Sequence, residues 1–299
     1  MHVNCQAVHS HFPLTGKTRH FLNPSPMDIL FTKANWEVSG LSVAEFVDLA
    51  GTAGYDGTEI YLPARSESTA EIRALHDAAG LKIVSHIATE GITPAEHLRS
   101  LEERYLRAVE LTPLFINCHT GKDHFSFADS MQIFEAGEEL VAAHGVPLLH
   151  ETHRGRALFS APAALEFLRR LPGLRLTADF SHWVCVHESD LADQPEALAA
   201  AMRAAGHIHA RVGFDQGPQV SDPRNSAHAP WLERFTGWWK QILELRRGEG
   251  REWCTITPEF GPPPYMPLTG PSPTPVGDAW EVNLWMKSHL RQQLMPIKP

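Results

Sequence analysis

Cysteine is scarce and scattered in this 299-residue chain. Cys5, Cys118, Cys185 and Cys254 form no Cys-x-x-Cys pair, which speaks against a disulfide framework or a zinc ribbon and suits a reducing, cytoplasmic setting. No apolar run approaches the roughly 20 residues of a membrane span, and residues 1–26 contain no apolar core of a secretory signal. A membrane partner is therefore not expected. Positive charge is also short: 26 Lys and Arg against 35 Asp and Glu give a formal net charge of −9, which disfavours nucleic acid as a partner because such binding rests on phosphate contacts. A glycine-rich first turn, the mark of a doubly wound dinucleotide fold, is missing too.

What is present is a regular alternation. Residues 1–26, rich in His and Pro, read as an N-terminal extension, and from residue 27 onward short apolar runs alternate with helical patterns. The strand-like runs are Asp28–Thr32, Gly57–Leu62, Leu81–Ala88, Leu114–His119, Val146–Glu151, Leu174–Asp179, His207–Val212 and Cys254–Glu259. Between them the caps and periodicity predict helices at Ser42–Ala53, Thr69–Ala79, Pro94–Leu111, Phe127–His144, Ala161–Arg170, Gln194–Ala205 and Trp231–Arg247, with a last one at Asp278–Leu294. Eight strands alternating with eight helices predict a single-domain (β/α)₈ TIM barrel over residues 27–299, whose active site lies at the C-terminal ends of the strands.

The polar residues of interest cluster at those ends. The run Val146-Pro147-Leu148-Leu149-His150-Glu151 stops in a carboxylate, and three later strands end at Asp179, at His209-Ala210-Arg211 and at Glu259. A buried carboxylate must be paired, metal-bound or catalytic, and three of them packed with an imidazole repel unless a cation neutralises them. Glu151, Asp179, His209 and Glu259 are accordingly the candidate ligands of one divalent ion. Three oxygens and one nitrogen suit Mn²⁺ first, with Mg²⁺, Co²⁺ or Zn²⁺ also admitted; a salt-bridge network with Arg154, Arg156 and Arg211 is the competing explanation. His182, three residues after Asp179, and His86, His119 and Glu59 at other strand ends are candidate substrate contacts, with satisfied core positions as the bland alternative. Two long connections, Gly213–Pro230 and Phe260–Gly277, leave the same rim as possible lids or plain surface loops. Trp231, Trp238 and Trp239 on an outer helix suggest an oligomer interface or core packing, and a homo-oligomer is admitted.

Glu at strand five, Asp-x-x-His at strand six, His at strand seven and Glu at strand eight resemble the xylose isomerase-like TIM-barrel superfamily, as does Gly54-Tyr55-Asp56-Gly57-Thr58-Glu59 before strand two. The superfamily includes sugar isomerases and epimerases, inosose dehydratases and AP endonucleases. The resemblance implies that Glu151, Asp179, His209 and Glu259 hold the metal, that His182 touches a substrate oxygen, and that Glu151 and Glu259 serve as acid and base. The metal would chelate a carbonyl and a neighbouring hydroxyl and stabilise the enediolate formed by proton transfer. The sequence departs from epimerase members at Thr152-His153-Arg154-Gly155-Arg156-Ala157, which keeps an Arg and lacks a second Glu. An Arg further along after strand seven is also missing, with Arg211 and Arg224 as stand-ins. Arg154, Arg156, Arg211 and Arg224 near the rim point to an anionic substrate. The expected function is metal-dependent isomerisation or epimerisation of a small polyhydroxylated compound. The alternatives are a dehydratase on the same site, an AP-endonuclease-type phosphodiesterase, and a non-catalytic binding protein.

Overall fold

A computed structural model describes residues 27–294 of the chain. The sequence-predicted extension, 1–26, lies outside the described residues, as do 295–299. Eight strands, β1 (Asp28–Ala34), β2 (Gly57–Tyr61), β3 (Lys82–Ala88), β4 (Ile116–His119), β5 (Leu148–Glu151), β6 (Arg175–Ala178), β7 (Ala205–Ala210) and β8 (Trp253–Pro258), form a closed barrel in sequence order. Neighbours pair in parallel throughout, and β8 closes on β1 through Asp28↔Trp253 to Phe31↔Ile256. Such a barrel is buried on both faces, which is why its strands read as short apolar runs rather than alternating ones.

The helices begin where their caps dictate. Ser42, Ser68 and Thr93 each accept the backbone N–H of a Glu three residues on, and that Glu returns a bond to the cap, so α1 (Val43–Thr52), α2 (Thr69–Ala79) and α3 (Pro94–Val109) all start with a capping box. The chain continues through α4 (Phe127–His144) and α5 (Ala161–Arg170), which with α2 coincide residue for residue with the sequence expectation. One helix was not foreseen: α6 (Phe180–His187), directly after β6. Its Phe-Ser-His-Trp-Val-Cys-Val-His sequence has weak helical propensity. Burial of Phe180, Trp183 and Val184 holds it in place, and Asp179 caps it by accepting Ser181 N–H at 3.1 Å. After it come α7 (Pro195–Ala204), α8 (Ala229–Gly248) and α9 (Ala279–Leu294).

Both long connections are tied down. Gln219 in the first accepts from Gly261 N (2.7 Å) and donates to Gly261 O (3.1 Å) in the second, and the second carries a two-residue ladder, β9 (Leu268–Thr269) with β10 (Thr274–Pro275). Trp238 and Trp239 are core residues packed on Phe235, rather than an exposed interface patch. Inside the barrel, Val84, Phe115 and Leu149 make an apolar floor. Above it the interior turns polar, and a register shift where β6 meets β7, between Leu176 and Thr177, passes over Gly206 so that His207 pairs with Thr177.

Gly57 shows how tightly β2 meets β3. A Cβ there would stand 2.5 Å from the Lys82 carbonyl oxygen, a backbone atom of the neighbouring strand. Gly57→Ala is expected to lower stability by about 1–3 kcal/mol in urea denaturation, whereas Gly40→Ala, with nothing within 4 Å of the added methyl, should leave it close to unchanged.

Candidate metal centre at the C-terminal rim

The polar interior is assembled around Glu59, which is 1% exposed. Its carboxylate accepts His209 Nε2 on both oxygens (3.0 and 3.1 Å), Asn117 Nδ2 (3.1 Å), Thr257 Oγ1 (2.8 Å) and His207 Nε2 (3.3 Å). Burial alone would raise its pKa. The His209 charge, followed by the hydrogen bonds from His207 and His209, outweighs that effect and holds the carboxyl well below its ordinary range. A carboxylate can only accept, so Nε2 of His209 carries a proton toward Glu59 and Nδ1 is turned the other way.

Nδ1 of His209 faces the rim acids, 2.9 Å from Glu259 Oε2 and 3.4 Å from Glu151 Oε2. Burial works to strip the ring of charge, but Glu259, Glu59 and Glu151 together hold its pKa well above the ordinary histidine value. Glu151 also receives Asn117 Nδ2 (2.9 Å) and His119 Nε2 (3.0 Å). One ligand atom each from Glu151, Asp179, His209 and Glu259 lie within 4.8 Å of one another, all four residues buried. The sequence-predicted quartet therefore converges on one point.

A divalent cation fits this point on the residues' own evidence. His209 Nδ1 and Glu259 Oε2 are buried and, although 2.9 Å apart, make no well-formed hydrogen bond to each other or to any other described residue, and the set is three hard oxygens with one imidazole nitrogen. Arg211 is the positive charge already among them. It is 2% exposed, pairs with Asp179 Oδ2, stands 3.5 Å from Glu259 Oε2, and donates to Ser181 Oγ (3.1 Å) and His182 Nε2 (2.9 Å). One guanidinium does not balance the acids. Burial pushes the Asp179 carboxyl up to about 6 against the pull of Arg211, and the charges of Glu259 and Glu151 add to the rise.

A cavity of about 200 Å³ opens above the quartet. Trp36, Tyr61 and Tyr265 form its aromatic walls, and His86, His119 and His153 line it beside Glu151 and Glu259. The imidazoles of His86, His119, His153 and His182 follow one another at centroid spacings of 4.4, 4.3 and 3.9 Å. Burial drives His86 down to about 4 and His153 and His182 well below their ordinary value, so these three are neutral. His153 was not among the site residues expected from sequence. The period-2 rule places it on the same face as Glu151, and that was the signal available.

The expected substrate contacts separate in space. His86, His119, Glu59 and Arg211 border the cavity. His182 is fully buried, with Nδ1 unpartnered and Nε2 held by Arg211. The Arg154 guanidinium lies 5.1 Å from the Tyr265 ring, and Arg156 Nη1 is spent on the Thr89 carbonyl (3.0 Å). Arg224 is paired with Asp222 on the exposed first loop, which contributes nothing to the cavity wall.

A family model described as xylose isomerase-like TIM barrel matches residues 47–259. The apo 3-keto-D-glucoside 4-epimerase of E. coli has a TM-score of 0.60 at 15% identity, covering 89% of this chain and 100% of its own. Endonuclease IV of Thermus thermophilus has a TM-score of 0.56 at 18% identity, covering 89% and 98%. A xylose isomerase-like TIM barrel protein of Mycobacterium smegmatis, in complex with magnesium, has a TM-score of 0.56 at 14% identity, covering 90% and 98%. At these identities the likeness is one of fold. No curated protein sequence matches the chain.

Replacing Glu59 by Ala leaves four buried donor groups facing an empty space. The expected loss is about 3 kcal/mol or more in chemical denaturation, and a loss under about 1 kcal/mol would show that Glu59 does not anchor the interior.

Proposed function

Because the chain belongs to the xylose isomerase-like TIM barrel family, we propose that it is a divalent-metal-dependent isomerase or epimerase acting on a small sugar, sugar phosphate or other α-hydroxy-carbonyl compound. The observation that carries this reading is the placement of Glu151 and Glu259 at 3.4 and 2.9 Å from one imidazole nitrogen, His209 Nδ1, beside a small cavity walled by aromatic rings. Glu151, Asp179, His209 and Glu259 would hold the ion, Mn²⁺ by preference and Mg²⁺ or Co²⁺ as substitutes, in keeping with the oxygen-rich set. When bound, the ion supplies Lewis-acid polarisation of a carbonyl and its neighbouring hydroxyl.

The remaining work belongs to side chains. One of Glu151 and Glu259 takes the proton from the hydroxyl-bearing carbon next to the carbonyl, and the other returns one at the former carbonyl carbon or on the opposite face of the same carbon. Asn117 and His119 each give Glu151 a hydrogen bond, which fixes its orientation and leaves its second oxygen to the reacting carbon. Arg211 locks Asp179 and His182 rather than reaching for substrate. Trp36, Tyr61 and Tyr265 offer ring faces to the C–H surface of a sugar and shield the proton in transit from water. Arg154 has no carboxylate partner among the described residues and sits over Tyr265 at the rim, where a phosphate or carboxylate of the substrate would meet it. A cavity of about 200 Å³ is of a size for one monosaccharide unit.

A second reading draws on a specific observation. His86, His119 and Glu151 also bring ligand atoms within 4.8 Å of one another, a second possible cation position that a phosphodiesterase would use. Cleavage of an abasic duplex oligonucleotide, with no deuterium exchange into any sugar, would favour it over proton transfer.

Glu151→Gln and Glu259→Gln are each expected to lose the bound metal in elemental analysis. They should also slow solvent-deuterium exchange into a responsive sugar by about 10²- to 10⁴-fold; metal retained in both variants contradicts the quartet. Because its neighbours hold His209 protonated, an ion at Nδ1 must displace that proton. Apparent Mn²⁺ affinity should therefore rise by about tenfold per pH unit up to the folded-state pKa of His209 and level off above it, with proton release measurable by calorimetry in buffers of different ionisation enthalpy.

A further inference from the structure

The opposite end of the barrel holds a larger cavity, of about 560 Å³, bordered by the beginnings of the strands. In this fold that face ordinarily contributes stability alone. Here it gathers three guanidiniums. Arg175 opens β6, Arg246 lies in the last turn of α8, and Arg251 precedes β8. All three turn toward one carboxylate, that of Glu249: Arg246 Nη2 reaches it at 2.8 Å, Arg251 Nε at 3.7 Å and Arg175 Nη2 at 3.9 Å. Glu252 also borders the cavity but pairs with no arginine among the described residues.

Arg246 is the residue that a purely structural account leaves unexplained. It is 2% exposed, and its Nη2 has two duties, capping the α7 carbonyl of Arg203 and meeting Glu249. Its Nε and Nη1 are buried without an acceptor among the described residues. Arginine does not escape this by losing a proton, so a charged guanidinium stays in the cavity wall beside Arg175 and Arg251. Beside the guanidiniums the wall is apolar, formed by Leu114, Phe115, Leu149 and the partly exposed Trp253.

We propose that this cavity binds a small organic anion, a phosphate or carboxylate head on an apolar body. The head lies among Arg175, Arg246 and Arg251, and the body covers Phe115 and Trp253. A bare inorganic ion would meet the charge but leave the apolar wall wet. The site is separate from the rim centre and does not depend on the reaction assigned there.

Isothermal titration calorimetry on the full chain tests this with phenyl phosphate and benzoate as probes and with benzyl alcohol and inorganic phosphate as comparators. At least one organic anion should bind saturably, about tenfold or more tighter than either comparator, and the tighter of the two identifies the head group. Arg175→Ala and Arg251→Ala alter partly or fully exposed residues, so folding is retained, and each should weaken binding by about fivefold or more. Glu249→Gln frees the arginines from their internal acid and should tighten binding, a direction that general damage would not produce. The proposal is overturned if neither anion saturates below about 10 mM, if benzyl alcohol or inorganic phosphate binds as well, if both arginine variants leave affinity unchanged, or if Glu249→Gln weakens it.

Discussion

A carboxylate that solvent scarcely reaches, Glu59, organises the upper half of the barrel. Donors arrive from β4, β7 and β8 and end on its two oxygens, which settles which nitrogen of His209 bears hydrogen and which is turned to the rim. The sequence suggested a substrate contact for this residue because it sits near a strand end. The structure gives it a deeper task, since its oxygens are consumed by protein groups. The rim acids inherit that choice, because it leaves Nδ1 as the nitrogen that faces Glu151 and Glu259.

Electrostatics then constrains the layer above. Glu151, Asp179 and Glu259 share a buried volume with one guanidinium and one imidazole, and Asp179 registers the crowding by its raised pKa. The apolar floor of Val84, Phe115 and Leu149 keeps water from relieving that crowding from below. The neutral imidazoles of His86, His153 and His182 add hydrogen-bonding capacity along one wall without adding charge.

Barrel architecture was legible because most strands are short apolar runs ending near a polar residue and several helices open on a cap, signals local enough to lie in single residues such as Ser42 and Thr93. The convergence of Glu151, Asp179, His209 and Glu259 was legible for a related reason: the four residues lie at the ends of four strands, and closure of the barrel does the rest. What sequence did not disclose depended on tertiary burial. Helix α6 has poor intrinsic propensity and exists because Trp183 and Phe180 pack inward. Arg211 borders the cavity as a substrate-facing cation would, but its pairing with Asp179, 32 residues away and at the end of the neighbouring strand, could not be read from composition. Arg224 shared the same composition cue and lies on the surface with Asp222, since nothing in its loop forces it inward. His153 went unassigned because proximity to His119 and His182 is a property of three separate strand ends.

Trp36 lies so close to Gly261 that any side chain at 261 would occupy the space of its indole ring, and the same indole meets Tyr265 edge-on at 5.2 Å. The loops that leave the first and last strands are thus buttoned together over the seam where the barrel closes. A closure fastened in this way makes the two ends of the polypeptide mutually dependent. A shortened chain that stops before residue 261 would forfeit the last strand's exit and also the wall that the opening strand's loop leans upon.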